Sequence, residues 1–160
     1  MGVGKTAACR QLQQMLDRSV FLDGDWCWDA HPFQVTEETR EMVLENIAFL
    51  LNRFLRCTAY DHVIFCWVLH RREIWADLLR RLTEPYTLRA VALVCTSETL
   101  RTRLEGDIRA GVREPDVVNR SLAYLPLYST LDVRRLDVTE LTPRETAARI
   151  LAATEKEREP

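Results

Sequence analysis

Two uninterrupted apolar runs, Val63-Ile64-Phe65-Cys66-Trp67-Val68-Leu69 and Ala90-Val91-Ala92-Leu93-Val94-Cys95, do most to limit what this chain can fold into. Each has the length of a strand, carries β-branched or aromatic residues and fails to alternate, as expected of a strand covered on both faces. Segments of helical spacing flank them. Before the first run, Val43, Ile47, Leu50, Leu51, Phe54 and Leu55 share one face of a long helix, opened by Thr36 with Glu37 and Glu38 in its first turn, where the helix dipole favours anions. Between the runs, Ile74, Trp75, Leu78, Leu79 and Leu82 mark a helix over about 71–82, closed by Pro85. Shorter strands are predicted at Ser19-Val20-Phe21-Leu22 and over 133–138, and a last helix starts at the capping box Thr142-Pro143-Arg144-Glu145. Residues 155–160 are polar and are expected to fray. Helices alternating with short buried strands predict an α/β fold, a three-layer arrangement of a parallel sheet with helices on both faces.

The start of the chain supplies the first chemistry. Gly2-Val3-Gly4-Lys5-Thr6 reads as the closing half of a phosphate-binding loop, G-x-x-x-x-G-K-[ST]. In such a loop the backbone N–H groups, here of Gly2, Val3, Gly4, Lys5, Thr6 and Ala7, wrap phosphates, the lysine reaches the outer ones and the hydroxyl ligates Mg²⁺. Ala8, Leu12, Met15 and Leu16 give the following segment, 5–17, the periodicity of a helix whose N-terminus holds phosphate. The same residues match an N-myristoylation pattern with Gly2 as acceptor, but the loop also accounts for Gly4 and Lys5. The first glycine of the motif would fall two residues upstream of Met1, and a strand leading into the loop would lie upstream again. Four strands are read where such a sheet normally has five, and the fifth, central one is expected ahead of the loop. The 160 residues are therefore expected to be one N-terminally truncated domain that binds nucleotide weakly.

Length and charge narrow the class. With 160 residues, 47% of them hydrophobic, one domain with a proper core is the expectation. A net charge of −2 spread over both signs gives no basic footprint for nucleic acid. Five cysteines, odd in number and without a C-x-x-C pair, suggest neither a disulfide framework nor a zinc site, which fits a reducing cytoplasm. No apolar run approaches the roughly 18 residues that span a bilayer, so no membrane partner is expected.

Three groups of residues are candidates for chemistry. Asp23 and Asp25 flank Gly24 at the carboxyl end of the first strand, the edge where open α/β sheets bind ligands. Phosphoryl transfer to a hydroxyl needs one carboxylate for Mg²⁺ or its water shell and another to orient or deprotonate the acceptor, and this pair offers both. An Asp-Gly turn with solvated carboxylates is the plain alternative. Arg101, Arg103, Arg109, Arg113 and Arg120 crowd the segment after the 90–95 run, with Ser97 read as its cap and Gly111 as a break; a helical lid over about 97–127 carrying them would close over a nucleotide. A solvated helix laced with Glu105, Asp107 and Glu114 competes for each arginine singly. Trp26, Trp28, His31 and Trp67 suggest an acceptor pocket for a flat or ring-shaped ligand, although core packing explains Trp67 equally, and His70 is either a base or a strand-end cap.

The order of parts resembles the small P-loop kinases of the nucleoside/nucleotide, shikimate and gluconate kinase type. Leu22-Asp23-Gly24-Asp25-Trp26-Cys27-Trp28-Asp29 and Phe65-Cys66-Trp67-Val68 are similar to stretches in bacterial ATP-binding proteins labelled nucleotide kinases. The resemblance spans nearly the whole chain. It implies that Gly4, Lys5 and Thr6 bind ATP phosphates and Mg²⁺, that Asp23 lies on the metal side and Asp25 faces the acceptor hydroxyl, and that Arg103, Arg109 and Arg113 belong to the lid. No aspartate follows the 63–69 run where many P-loop enzymes place a metal-binding acid, a departure shared by kinases that use the earlier D-x-D. The expected activity is ATP-dependent phosphotransfer to a small hydroxyl or phosphate acceptor, with Lys5, Asp25, Arg109 and Arg113 catalytic, Arg103 on the nucleotide, Thr6 and Asp23 on the metal, and Asp25, Trp26, Trp28, Trp67 and Arg120 on the acceptor. A nucleotide-binding or structural protein without turnover is the alternative.

Overall fold

A computed structural model describes residues 1–155, and residues 156–160 of the tail expected to fray lie outside the described residues. The chain forms two compact units, one made of Met1–Leu12 with Arg89–Pro160 and the other of Gln13–Leu88. Each contains a parallel two-stranded ladder, so the α/β class with parallel strands holds in both.

In the 13–88 unit, β1 (Ser19–Asp23) pairs in parallel with β2 (His62–Cys66), and the register sets Asp23 beside Cys66. The apolar run continues to Leu69, but the ladder stops at Cys66 because β1 has no further residue to offer it. The crossover between the strands is α2 (Glu37–Arg56), which starts where the sequence predicts: the Thr36 hydroxyl accepts from Thr39 N–H and the Thr39 hydroxyl accepts from Thr36 N–H. Its apolar face packs Val43, Leu44, Ile47, Ala48 and Leu51 against Leu22 and Leu78. Ile47 is fully buried, and burying a side chain of that size contributes about 1.5–3 kcal/mol. Helix α3 (Arg72–Arg80) buries Leu78. Asn52 of α2 closes its end, donating to Arg81 O at 2.9 Å and accepting from Thr83 N–H at 2.8 Å.

In the unit made of the two chain ends, β3 (Val91–Val94) pairs with β4 (Arg134–Asp137). Between them run α4 (Ser97–Arg109) and α5 (Val117–Tyr124), joined through a core of Leu100, Leu104, Val117 and Val118. The cap of α4 is Thr96, one residue earlier than the serine favoured by the sequence, because the Thr96 hydroxyl accepts from Thr99 N–H. Gly111 does end the helix, at φ 69°. Helix α6 (Pro143–Glu155) opens with the expected box, Thr142 N–H donating to Glu145 Oε2 at 2.9 Å and Glu145 N–H donating to Thr142 Oγ1 at 3.3 Å. Among the described residues no helix is long and apolar enough to cross a membrane.

Candidate active site

The phosphate-loop residues form a turn that glycine alone adopts easily. Gly2 and Gly4 have φ of 74° and 97°, and between them they bring the chain into α1 (Lys5–Met15). The Gly4 carbonyl accepts the Ala8 N–H at 3.0 Å, so the helix is hydrogen-bonded from its first turn. Lys5, Thr6 and Ala7 sit in that turn, which holds no acidic residue. The two glycines serve different ends. A Cβ on Gly2 would lie 2.5 Å from Leu104 Cδ2 and 3.2 Å from Leu100 Cδ1, whereas one on Gly4 would meet nothing within 4 Å. Gly2 fastens the loop to its own core, and Gly4 leaves an exposed backbone with room in front of it.

Arg103 comes to the same loop, though not with its charge free. Its guanidinium donates to Val3 O at 3.2 Å, Val138 O at 3.0 Å and Thr139 O at 3.2 Å, tying the loop to the residues that follow β4. The other arginines of the expected lid are less committed. Arg109 is exposed in the last turn of α4, Arg113 pairs with Asp107 at 2.9 Å, and Arg120 pairs with Asp116 at 3.5 Å across one turn of α5.

The carboxylates occupy a turn of their own in the 13–88 unit. Residues expected to be loop form a short 3-10 helix, Gly24–Trp28, because the buried Asp23 accepts the Asp25 N–H on Oδ1 at 3.1 Å and so nucleates it. Its Oδ2 receives the Cys66 thiol at 3.4 Å. Asp25 is exposed on the same turn, which separates a held carboxylate from a free-standing one within three residues. The wall behind is Trp67, into whose side chain a Cβ on Gly24 would project. Trp26 meets Phe21 edge to face with centroids 5.1 Å apart, and Trp28 leans on Phe33 at 4.8 Å. Trp67 thus backs the Asp-Gly-Asp turn, Trp26 stands beside it at half exposure, and Trp28 is turned onto Phe33.

Several groups around these turns escaped the sequence reading. Cys66 is found only through strand register, since nothing in its spacing marks it as the partner of Asp23. Burial pushes the Cys27 thiol up, and the charge on Asp23 adds to the shift. The Cys27 carbonyl accepts from the Asn46 amide at 3.4 Å. His70, a candidate base by sequence, is half-buried, and burial lowers its imidazole despite a 3.4 Å contact with Val68 O.

An α/β chain that enters its leading helix through Gly-x-Gly-Lys-Thr has the fold of the small P-loop kinases, and solved structures bear this out. A gluconokinase from Sinorhizobium meliloti 1021 matches with a TM-score of 0.70 at 20% identity, over 98% of this chain and 88% of that one. The Deinococcus radiodurans tunicamycin resistance protein gives 0.68 at 18% identity, covering 94% and 88%, and a sugar kinase from Janibacter sp. HTCC2649 gives 0.67 at 20%, covering 96% and 89%. The AAA domain family model matches residues 1–117, and the chain belongs to that family. No curated protein matches it.

Proposed function

We propose that this protein is an ATP-dependent kinase that transfers a phosphoryl group to a small-molecule hydroxyl or phosphate acceptor, with residues 1–160 acting as one catalytic module in the cytoplasm, where ATP is held. The observation that carries the reading is the pair of positive-φ glycines turning the backbone into the start of α1, with open space at Gly4 and Lys5 and Thr6 in the first turn. N–H groups at a helix start favour anionic oxygens. In this reading the amides of Gly2 to Ala7 bind the phosphates and Lys5 neutralises the outer ones as charge spreads across the transferred group. Asp25 orients the acceptor hydroxyl and takes its proton, and Arg109 and Arg113 close over the phosphates. Arg120, Trp26, Trp28 and Trp67 are the residues this reading assigns to the acceptor. Arg103 acts one step back, holding Val3 in place.

The donors present suit Mg²⁺. Among the described residues no group of three or more His, Cys, Asp or Glu is placed to hold a metal by itself. Mg²⁺ in kinases rests mainly on phosphate oxygens and water, needing one or two protein oxygens, which Thr6 and Asp23 would provide. When bound it would draw charge from the phosphate oxygens.

The test is ADP release from ATP in the presence of Mg²⁺ and a panel of alcohol, sugar, nucleoside and phosphate acceptors. Acceptor-dependent turnover is expected, with Lys5→Met and Asp25→Asn each lowering it by about 10²–10³-fold at unchanged melting temperature. Background turnover across the whole panel, or a fully active Lys5→Met, overturns the reading.

A further inference from the structure

The acceptor's chemical class is written in the groove beside the Asp-Gly-Asp turn. This groove, of about 510 Å³, is lined by Leu22, Trp26, Cys27, Asn46, Phe49 and Leu50, and its volume is that of a small-molecule site. None of the six carries a charge. Asn46 is the one amide among them, and it already holds the Cys27 carbonyl. Trp26 is 49% exposed and Phe49 66% exposed, two large, water-exposed apolar surfaces that line the same groove. The Trp26 ring is braced edge-on by Phe21, so this wall exists before any ligand arrives. A second groove, of about 400 Å³ at the start of α2, has the opposite character, lined by Glu37, Glu38, Arg40, Glu41, Leu44 and Asp77.

Trp26 directly follows Asp25, so the groove and the proposed acceptor carboxylate draw on the same short 3-10 turn. A sugar acid or a phosphorylated acceptor entering it would find no cation in the lining, and the charge of Asp23, felt at Cys27 in the lining, would oppose it. Desolvating an anion against Trp and Phe disfavours it further. A polyol would leave its hydroxyls without partners. A flat, uncharged molecule instead exchanges the water on Trp26 and Phe49 for ring contact. Resting on the phosphotransfer reading above, we propose that the acceptor is an uncharged alcohol with a flat, largely apolar body, bound against Trp26 and Phe49 with its hydroxyl toward Asp25.

Calorimetric titration without nucleotide tests the groove separately from the chemistry, with 2-naphthylmethanol, its 6-carboxylate derivative and gluconate as probes. The neutral naphthyl alcohol is expected to bind at least about tenfold more tightly than its carboxylated form, and Phe49→Ser to weaken it about tenfold, since an exposed aromatic contact is lost. Tyr86→Ser, an exposed aromatic outside the groove, should change nothing. Asn46→Lys is expected to narrow or reverse the preference by placing a cation in the lining. Equal or tighter binding of the carboxylate or gluconate, indifference to Phe49→Ser, no binding of the neutral probe, or a dimer in sedimentation that Phe49→Ser dissociates would each overturn the proposal. Turnover on gluconate alone would sink this inference while sparing the kinase reading. Neutral-probe binding lost in Phe49→Ser, without ADP release on any acceptor, would do the reverse.

Discussion

The two turns that carry the candidate chemistry are secured by opposite uses of charge. In the unit of the chain ends, the Gly2–Gly4 loop contributes only main chain to its own fixing, and the charge comes from outside it, Arg103 gripping Val3 O together with Val138 O and Thr139 O. In the 13–88 unit the charge belongs to the turn itself, where Asp23 accepts from Asp25 N–H and from the Cys66 thiol. Arginines elsewhere do not divide by unit. Arg89, Arg134 and Arg135 of the first unit donate to the main-chain carbonyls of Thr154, Ala153 and Ser129, but Arg113 and Arg120 of the same unit pair with Asp107 and Asp116, as Arg56, Arg80 and Arg81 of the second pair with Glu84, Asp77 and Glu41. A guanidinium spent on carbonyls is scaffold, whatever its neighbours in sequence suggest.

Both turns also rest on a walled-in glycine, and here the comparison is easiest to break. Gly2→Ala combines a left-handed backbone strain of about 1–2 kcal/mol with overpacking of about 1–3 kcal/mol against the fully buried Leu104. Its unfolding free energy should fall by about 2–5 kcal/mol. Gly24→Ala meets the Trp67 side chain without a positive φ and should cost about 1–3 kcal/mol. Gly4→Ala, with open space, should show only the strain of about 1–2 kcal/mol. Denaturant titration ranks the three, and a Gly2→Ala protein as stable as Gly4→Ala would show that the loop is not fastened to the α4 core.

Arg103 comes next in size. Arg103→Met removes three charged hydrogen bonds and leaves their carbonyls to find water, for an expected loss of about 2–3 kcal/mol. High salt should leave that loss intact. The exposed Arg80 pairs with Asp77 at 3.0 Å, and Arg80→Ala should stay within about 0.5 kcal/mol and vanish into the error in 1 M salt. An Arg103→Met protein with native stability but impaired ATP turnover would return Arg103 to the nucleotide, as the sequence alone suggested.

Arg103 shows what the sequence could and could not carry. The cap at Thr36, the box at Thr142 and the loop glycines are local signals, decided by a few adjacent residues, and each appears where the pattern puts it, while the two apolar runs supply strands shorter than the runs themselves. The destination of a long flexible cation is a tertiary matter: the Arg103 to Val3 contact joins residues a hundred positions apart, and no spacing encodes it. Cys66 is hidden for the same reason, since it becomes the partner of Asp23 only once β1 and β2 align. The apolar groove needed both α2 and the 3-10 turn, the very stretch that aromatic and polar composition presented as an open loop.

The smallest expected effect sharpens the contrast from the side of the core. Asp23 has partners for both oxygens, whereas Ser121 of α5, only 2% exposed, has none for its hydroxyl among the described residues, as Arg81 Nε has none in the 13–88 unit. An unsatisfied buried hydroxyl carries its desolvation cost with no hydrogen bond to offset it. Alanine keeps the Cβ that packs in α5, improves helix propensity and deletes the orphan. Ser121→Ala should therefore raise stability by about 1 kcal/mol, read as a higher denaturant midpoint at an unchanged slope. A destabilised Ser121→Ala would mean that the hydroxyl is engaged after all.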